Sequence, residues 1–410
     1  MFGRNWLIAF VVGCVVLAAG AVGIAGGPKY PVKNFVACPR VEVPPVMDGK
    51  LDDPCWAEAA EFTGFSSRDF PKAQTTCWLA HDKDNLYLAF KCNEPCLDEI
   101  KAGEKQHDGP VWRDDCVEVF LNAGQGRKTY FHIAVNSIGT TYDAMCALED
   151  GLRRVDDKWD AGGKVNTFMD KDGWGGKLAI PFKSIGKIPA DGETWGFNVC
   201  RERKQGKMKI NEESCWAQVA GGFHEPENFG TMAFGGYAPA IRKVEIKMPQ
   251  HVFKARVANK VEKNMEMEFK TVVISALPGA AAETSKKISL NAGHEEELEF
   301  EYQPRKGEKQ QLVFSVYDSR THALCYQACY CLVKFGNLAV PLQVLAKTAD
   351  YVLWLEGSTK KVFREDLLQG GGSAKRRYSD MRGKGGIRAF SNSAYAKRRQ
   401  VAGKHTVGVL

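Results

Sequence analysis

The stretch Trp112-Arg113-Asp114-Asp115-Cys116-Val117-Glu118-Val119-Phe120-Leu121 carries the architecture. In an extended chain successive side chains leave opposite faces, so Val117, Val119 and Leu121 form one apolar row. Asp114, Cys116, Glu118 and Phe120 look the other way. Glu118 thus lies among apolar neighbours with a carboxyl free to hydrogen-bond. The run Tyr130-Phe131-His132-Ile133-Ala134-Val135 repeats the pattern, with Phe131, Ile133 and Val135 inward and His132, Ala134 and Asn136 on the other face. Glu118 and His132 are expected to share one concave surface.

Working outward, the same period recurs in Leu86-Tyr87-Leu88-Ala89-Phe90 and in Trp195-Gly196-Phe197-Asn198-Val199-Cys200. Gly, Asp, Asn and Pro break the runs, and helical periodicity is weak apart from a turn near residues 53–60. Residues 35–236 therefore read as a jelly-roll-like β-sandwich in an all-β chain. Gly235-Gly236, followed by Pro239, marks a boundary. Residues 240–335 read as a smaller immunoglobulin-like sandwich, with alternation in Val272-Val273-Ile274 and in Gln311 to Tyr317.

The last segment, 336–410, holds 14 Lys and Arg against 5 Asp and Glu, while the whole 410-residue chain has a formal charge of +7. The rest of the chain is slightly acidic, which argues against a nucleic-acid-binding body. Gly370-Gly371-Gly372-Ser373 followed by Lys375-Arg376-Arg377 predicts a basic, largely disordered tail. At the other end, Arg4 precedes an uncharged apolar run from Trp6 to Ala25. Residues 1–27 read as a signal peptide, or as an N-terminal anchor if uncleaved, so the chain is expected to be secreted, periplasmic or at the cell surface. Membrane contact is expected through that segment alone.

Export changes the meaning of the 13 cysteines. Setting Cys14 aside leaves an even number in a compartment where disulfides persist. Cys92 with Cys96 and Cys200 with Cys215 could bridge neighbouring segments; the alternative is that several are small buried hydrophobes. No spacing here suits a zinc ribbon.

Five stretches, taken together, resemble the family 9 carbohydrate-binding modules and their related β-sandwiches. They are Met47 to Trp56, Asp84 to Phe90, Trp112 to Phe120, Trp195 to Asn198, and the closing Phe229-Gly230-Thr231-Met232. The resemblance implies a sugar site in which Trp112 is half of an aromatic sandwich, Phe223 the other half, and Glu118 the hydroxyl-binding glutamate. Flat aromatic faces suit pyranose C–H groups and planar polar groups suit its hydroxyls. This chain departs from the family in having Phe223 for tryptophan, His132 for arginine, Cys200 for glutamine, and no polar counterpart near Ala220. Arg201 and Trp216 are weaker site candidates; Trp56, Trp78, Trp174, Trp195 and Trp216 read most simply as core.

The expected function is non-catalytic binding of a polysaccharide or oligosaccharide, of glucan or xylan type, in support of polysaccharide breakdown or uptake. No cofactor is expected. Asp114 and Asp115 either cap a turn or hold a structural calcium, which the sequence does not place. Two alternatives remain open at this point. A glycoside hydrolase would draw its two carboxylates from Asp114, Glu118 and Glu225. A haem-binding module on the same sandwich would pair His132 with Met145.

Overall fold

A computed structural model describes residues 32–67, 71, 73–124, 129–149, 152–205, 210–219, 221–247, 250–275, 283–304 and 310–332, with five short strands beyond residue 342. The expected signal segment 1–27 lies outside the described residues. The described chain is almost wholly β, as its alternating runs require.

The first sandwich opens with β1 (Phe35–Cys38), a helical turn α1 (Cys55–Glu58), β2 (Ala60–Phe62), β3 (Thr75–His81) and β4 (Asn85–Asn93). It continues through β5 (Cys116–Asn122), β6 (Thr129–Asn136), β7 (Thr141–Glu149) and β8 (Leu152–Asp156). Then come β9 (Lys164–Asp170), β10 (Gly173–Pro181), the turn α2 (Phe182–Ile185), β11 (Thr194–Gln205), β12 (Ile210–Cys215) and β13 (Gly230–Phe234). One sheet has the order β2-β3-β4-β10-β9. The other runs β1-β13-β11-β5-β6-β7-β8, with β12 paired to β11.

The inward rows of both sheets meet as the alternation predicts. Val117, Val119, Leu121, Ile133 and Val135 pack with Leu88, Phe90, Leu178 and Trp174 in one apolar core. Each fully buried aliphatic or phenylalanine side chain contributes on the order of 1.5–3 kcal/mol. The Met47 to Trp56 stretch is fastened to this sandwich by the wholly buried Lys177, whose Nζ lies 2.9 Å from Asp48 and 2.7 Å from Asp53. Asp53 also accepts from the indole N–H of Trp56 at 3.0 Å.

After Gly235 and Gly236, both at positive φ, the chain builds β14 (Ala240–Lys247), β15 (Val252–Ala258), β16 (Met265–Ser275) and β17 (Glu283–Leu290). It ends this unit with β18 (Glu295–Glu301), β19 (Gln310–Asp318) and β20 (Leu324–Cys331). These form a three-stranded sheet, β14-β15-β18, and a four-stranded run, β17-β16-β19-β20. Phe253 and Phe300 of the first face Phe314 of the second, with ring centroids 4.9 Å and 6.3 Å apart.

The two units do not meet through a linker alone. β1 pairs in parallel with β13 on one side and antiparallel with β20 on the other, so a single twelve-stranded sheet runs through both. The amide of Cys329 donates to Asn34 Oδ1 at 3.0 Å, and the Gln327 amide group donates to the Lys33 carbonyl at 2.7 Å. Beside this seam the buried Glu61 faces Arg242 at 3.1 Å and Lys260 at 3.3 Å. Gly64 sits here at φ +90°, and a Cβ in its place would lie 2.7 Å from the Tyr330 hydroxyl.

In the segment expected to be disordered, the structure has β21 (Gln343–Lys347), β22 (Val352–Gly357), β23 (Arg388–Phe390), β24 (Ala394–Ala396) and β25 (His405–Val409). The remainder of 336–410 lies outside the described residues.

Candidate functional site

Register places the second row of the long sheet. Residues opposed on neighbouring strands point to the same face, and Glu118 lies opposite Ala134 of β6 and Cys200 of β11. His132 lies opposite Phe120 of β5 and Ala144 of β7. Cys116, Glu118, Phe120, Tyr130, His132, Tyr142 and Cys146 thus share the face turned away from the main core, where Phe223 and Phe229 from the loop after β12 cover part of it.

A cavity of about 360 Å³ opens on this face. Trp112, Glu118, His132 and Phe223 all line it, together with Tyr142, Cys146, Arg153, Val155, Glu202, Glu213, Gly221, Gly222 and His224. The four principal candidates from the sequence are therefore brought together. Trp112 stands on a short 3₁₀ turn, Val111–Arg113. Val111 is fully buried beneath it, while Trp112 itself is 39% exposed. Its ring meets Tyr142 edge to face at 5.0 Å. Phe223 is mostly buried, so it offers the cavity only part of its face.

On the floor, His132 Nε2 lies 2.7 Å from Glu118 Oε2. The imidazole stacks flat on Phe120, 4.6 Å between centroids and 3° between planes. His224 stands across it at 88° and 4.8 Å, and its Nδ1 is 2.9 Å from the Tyr130 hydroxyl. Both members of the Glu118–His132 pair are out of water, and burial disfavours the charged form of each. Burial pushes the Glu118 carboxyl up to about 8 and the His132 imidazole down to about 3. His224 is lowered to about 2 by burial, with His132 and Arg153 adding to it. At neutral pH the pair is a carboxylic acid whose O–H donates to a neutral imidazole. Burial also raises Glu202 to about 7.

The weaker candidates lie elsewhere. Arg201 is one residue out of phase with Cys200, so it points into the sandwich, almost wholly buried, 3.3 Å from Glu94. Arg203 joins it with Nε 2.7 Å from Glu94. Arg201 and Arg203 thus meet Glu94 in a buried ion-pair network, while Glu202 between them lines the cavity on the other face. Trp216 is in the main core, its indole N–H 3.4 Å from the Tyr326 hydroxyl.

The haem alternative fails on the same alternation. Met145 lies opposite Phe131 and packs against the main core, on the far side of the sheet from His132. Two of the three hydrolase carboxylates are engaged in holding loops. Glu225 accepts from the amides of Gly221 and Gly222 and from Asn228 Nδ2. Asp114 Oδ2 accepts from the Glu104 amide at 2.7 Å and from Asn136, and Asp115 Oδ2 accepts from the Lys101 amide at 2.8 Å. These aspartates fasten the 101–104 segment to the start of β5. Ten of the twelve described cysteines are buried, including Cys200 and Cys215, which lie directly opposite one another with no disulfide between them. Those ten belong with the small buried hydrophobes. Ala220 lies outside the described residues.

Sequence reasoning missed Tyr142, Cys146, Arg153, Glu202, Glu213 and His224. Tyr142 was legible from period two, since it leaves β7 on the same face as Ala144 and Cys146. His224 had only its place beside Phe223 to mark it.

Residues 47–236 match the family model described as carbohydrate family 9 binding domain-like. Among solved structures, a provisionally assigned carbohydrate-binding protein from Bacteroides uniformis is 17% identical, with a TM-score of 0.41 over 50% of this chain and 100% of that one. A family 9 carbohydrate-binding module from Caldicellulosiruptor kristjanssonii in complex with cellotriose is 17% identical, with a TM-score of 0.38 over 50% of this chain and 94% of that one. The glucose complex from the same organism is 18% identical, at 0.37 over 51% and 100%. No curated protein matches the chain.

Proposed function

With residues 47–236 a family 9 carbohydrate-binding-like domain, a non-catalytic binding module, we propose that its cavity holds the end of a glucan- or xylan-type oligosaccharide or polysaccharide. The observation that carries this reading is one cavity with a half-exposed tryptophan at its rim and a hydrogen-bonded acid–imidazole pair at its floor. Trp112 supplies a rigid stacking face with two torsions to immobilise. Phe223 adds a smaller apolar contact from the opposite loop. Glu118 and His132 exchange hydrogen bonds with sugar hydroxyls as neutral groups, so no buried charge has to be stripped of water when the sugar enters.

The cavity is at the small end of ligand clefts, which run from about 300 to 1,000 Å³. That favours a chain end or short oligosaccharide over the middle of a long polymer. Fewer polar anchors than the family pattern favour weak affinity, in the micromolar to millimolar range, or about 4–8 kcal/mol. Export through the apolar residues 6–25 would put the domain where such polymers occur, and its role there would be to hold substrate for breakdown or uptake.

Calorimetric titration of the full chain with glucose, cello-oligosaccharides and xylo-oligosaccharides tests the reading. Saturable heat with one of these series is expected, weakened about tenfold or more by Trp112→Ala, the loss of one stacking contact of ~1–3 kcal/mol. Absence of heat with every glycan, or affinity unchanged in W112A, overturns it.

A further inference from the structure

The floor of the cavity carries a second chemistry. Glu118, His132 and His224 each offer one ligand-capable atom, and these atoms all lie within 4.8 Å of one another. We infer that this trio is a binding site for one divalent transition-metal ion of the zinc type. Two imidazoles and one carboxylate are a donor set that Zn²⁺ and its first-row neighbours accept, and they leave coordination positions open toward the cavity. The reading goes beyond sugar binding and does not depend on it.

Two observations support it. The donors come from three separate elements, β5, β6 and the loop after β12, so they converge through the fold and not through sequence adjacency. The Tyr130 hydroxyl meets His224 Nδ1 at 2.9 Å, and ligation through Nε2 would keep it as the outer-shell contact that orients the imidazole.

The test uses the full chain stripped with a chelator, then titrated with Zn²⁺ by calorimetry and with Co²⁺ by visible absorption. One equivalent of metal is expected, with Co²⁺ giving a d–d spectrum of nitrogen and oxygen ligation. His224→Ala and His132→Ala are expected to weaken uptake by more than about tenfold, and Tyr130→Phe by about tenfold. His224→Gln, on the loop, serves as the binding variant if H132A does not fold, as judged by circular dichroism. No saturable uptake, undiminished affinity in the folded histidine variants, or a thiolate-to-cobalt charge-transfer band marking cysteine ligation overturns the assignment. A glycan titration on the same preparation reads the sugar site separately, so failure of one reading leaves the other standing or falling on its own data.

Discussion

At residue scale, the Glu118–His132 pair shows how burial chooses protonation. A carboxylate and an imidazolium together would need full desolvation of two charges, whereas an acid and a neutral imidazole make the same 2.7 Å contact without either. Glu118→Gln keeps a neutral donor facing His132 Nε2, so its stability should stay within about 1 kcal/mol of the parent. Glu118→Ala strands the imidazole beside a void and should cost about 2–3 kcal/mol more than the glutamine variant. Urea denaturation of the two variants checks the difference; equal losses would mean the carboxyl is ionised in the folded protein. The position of this pair was legible because strand alternation is a local rule. Its state was not, because protonation depends on residues such as Arg153, Glu213 and His224 that the fold brings in from afar.

At element scale, Glu94 at the end of β4 ties one sheet to the other through Arg201 and Arg203 of β11. Burial pulls its carboxyl upward, but the Arg203 hydrogen bonds, the Cys96 amide and the nearby positive charge outweigh this and leave it below the ordinary glutamate range. A depressed folded-state value contributes stability at pH above that range and loses it as pH falls through the folded value. Glu94→Gln should therefore cost about 3 kcal/mol near neutrality, and the deficit should shrink below about pH 4. Chemical denaturation across that pH range measures it, and a constant deficit would refute the linkage. Arg201, a weaker site candidate in the sequence, lies in this network and away from the cavity for a related reason. Charged residues in alternation look like a solvated edge until the partner strand is known, and Glu94 is more than a hundred positions away.

At the scale of the whole molecule, one sheet crosses the boundary that Gly235-Gly236 marks. Gly235-Gly236 does turn the chain, yet β1 carries hydrogen bonds to both β13 and β20, a pairing between residues almost 300 positions apart that no local pattern announces. Gly64 lies at this seam, and Gly64→Ala meets both its positive φ and the Tyr330 hydroxyl. A loss of about 2 kcal/mol or more is expected in the variant. If the seam couples the sandwiches, calorimetry should show one shifted transition; a shift confined to one of two separate transitions would refute the coupling. A fragment ending at residue 236 would also leave β1 with an unpaired edge, an invitation to association that makes the intact chain the better material for glycan titrations.

The same shared strand has a consequence for avidity. Where two modules are joined by a flexible linker, the second engages at an effective concentration set by linker length. Here no such length exists between the first sandwich and the second. Whatever grips the second sandwich presents the Trp112 cavity at one distance and one angle, so a two-point hold on a polymer or surface either matches that spacing and gains the full advantage or misses it and gains none.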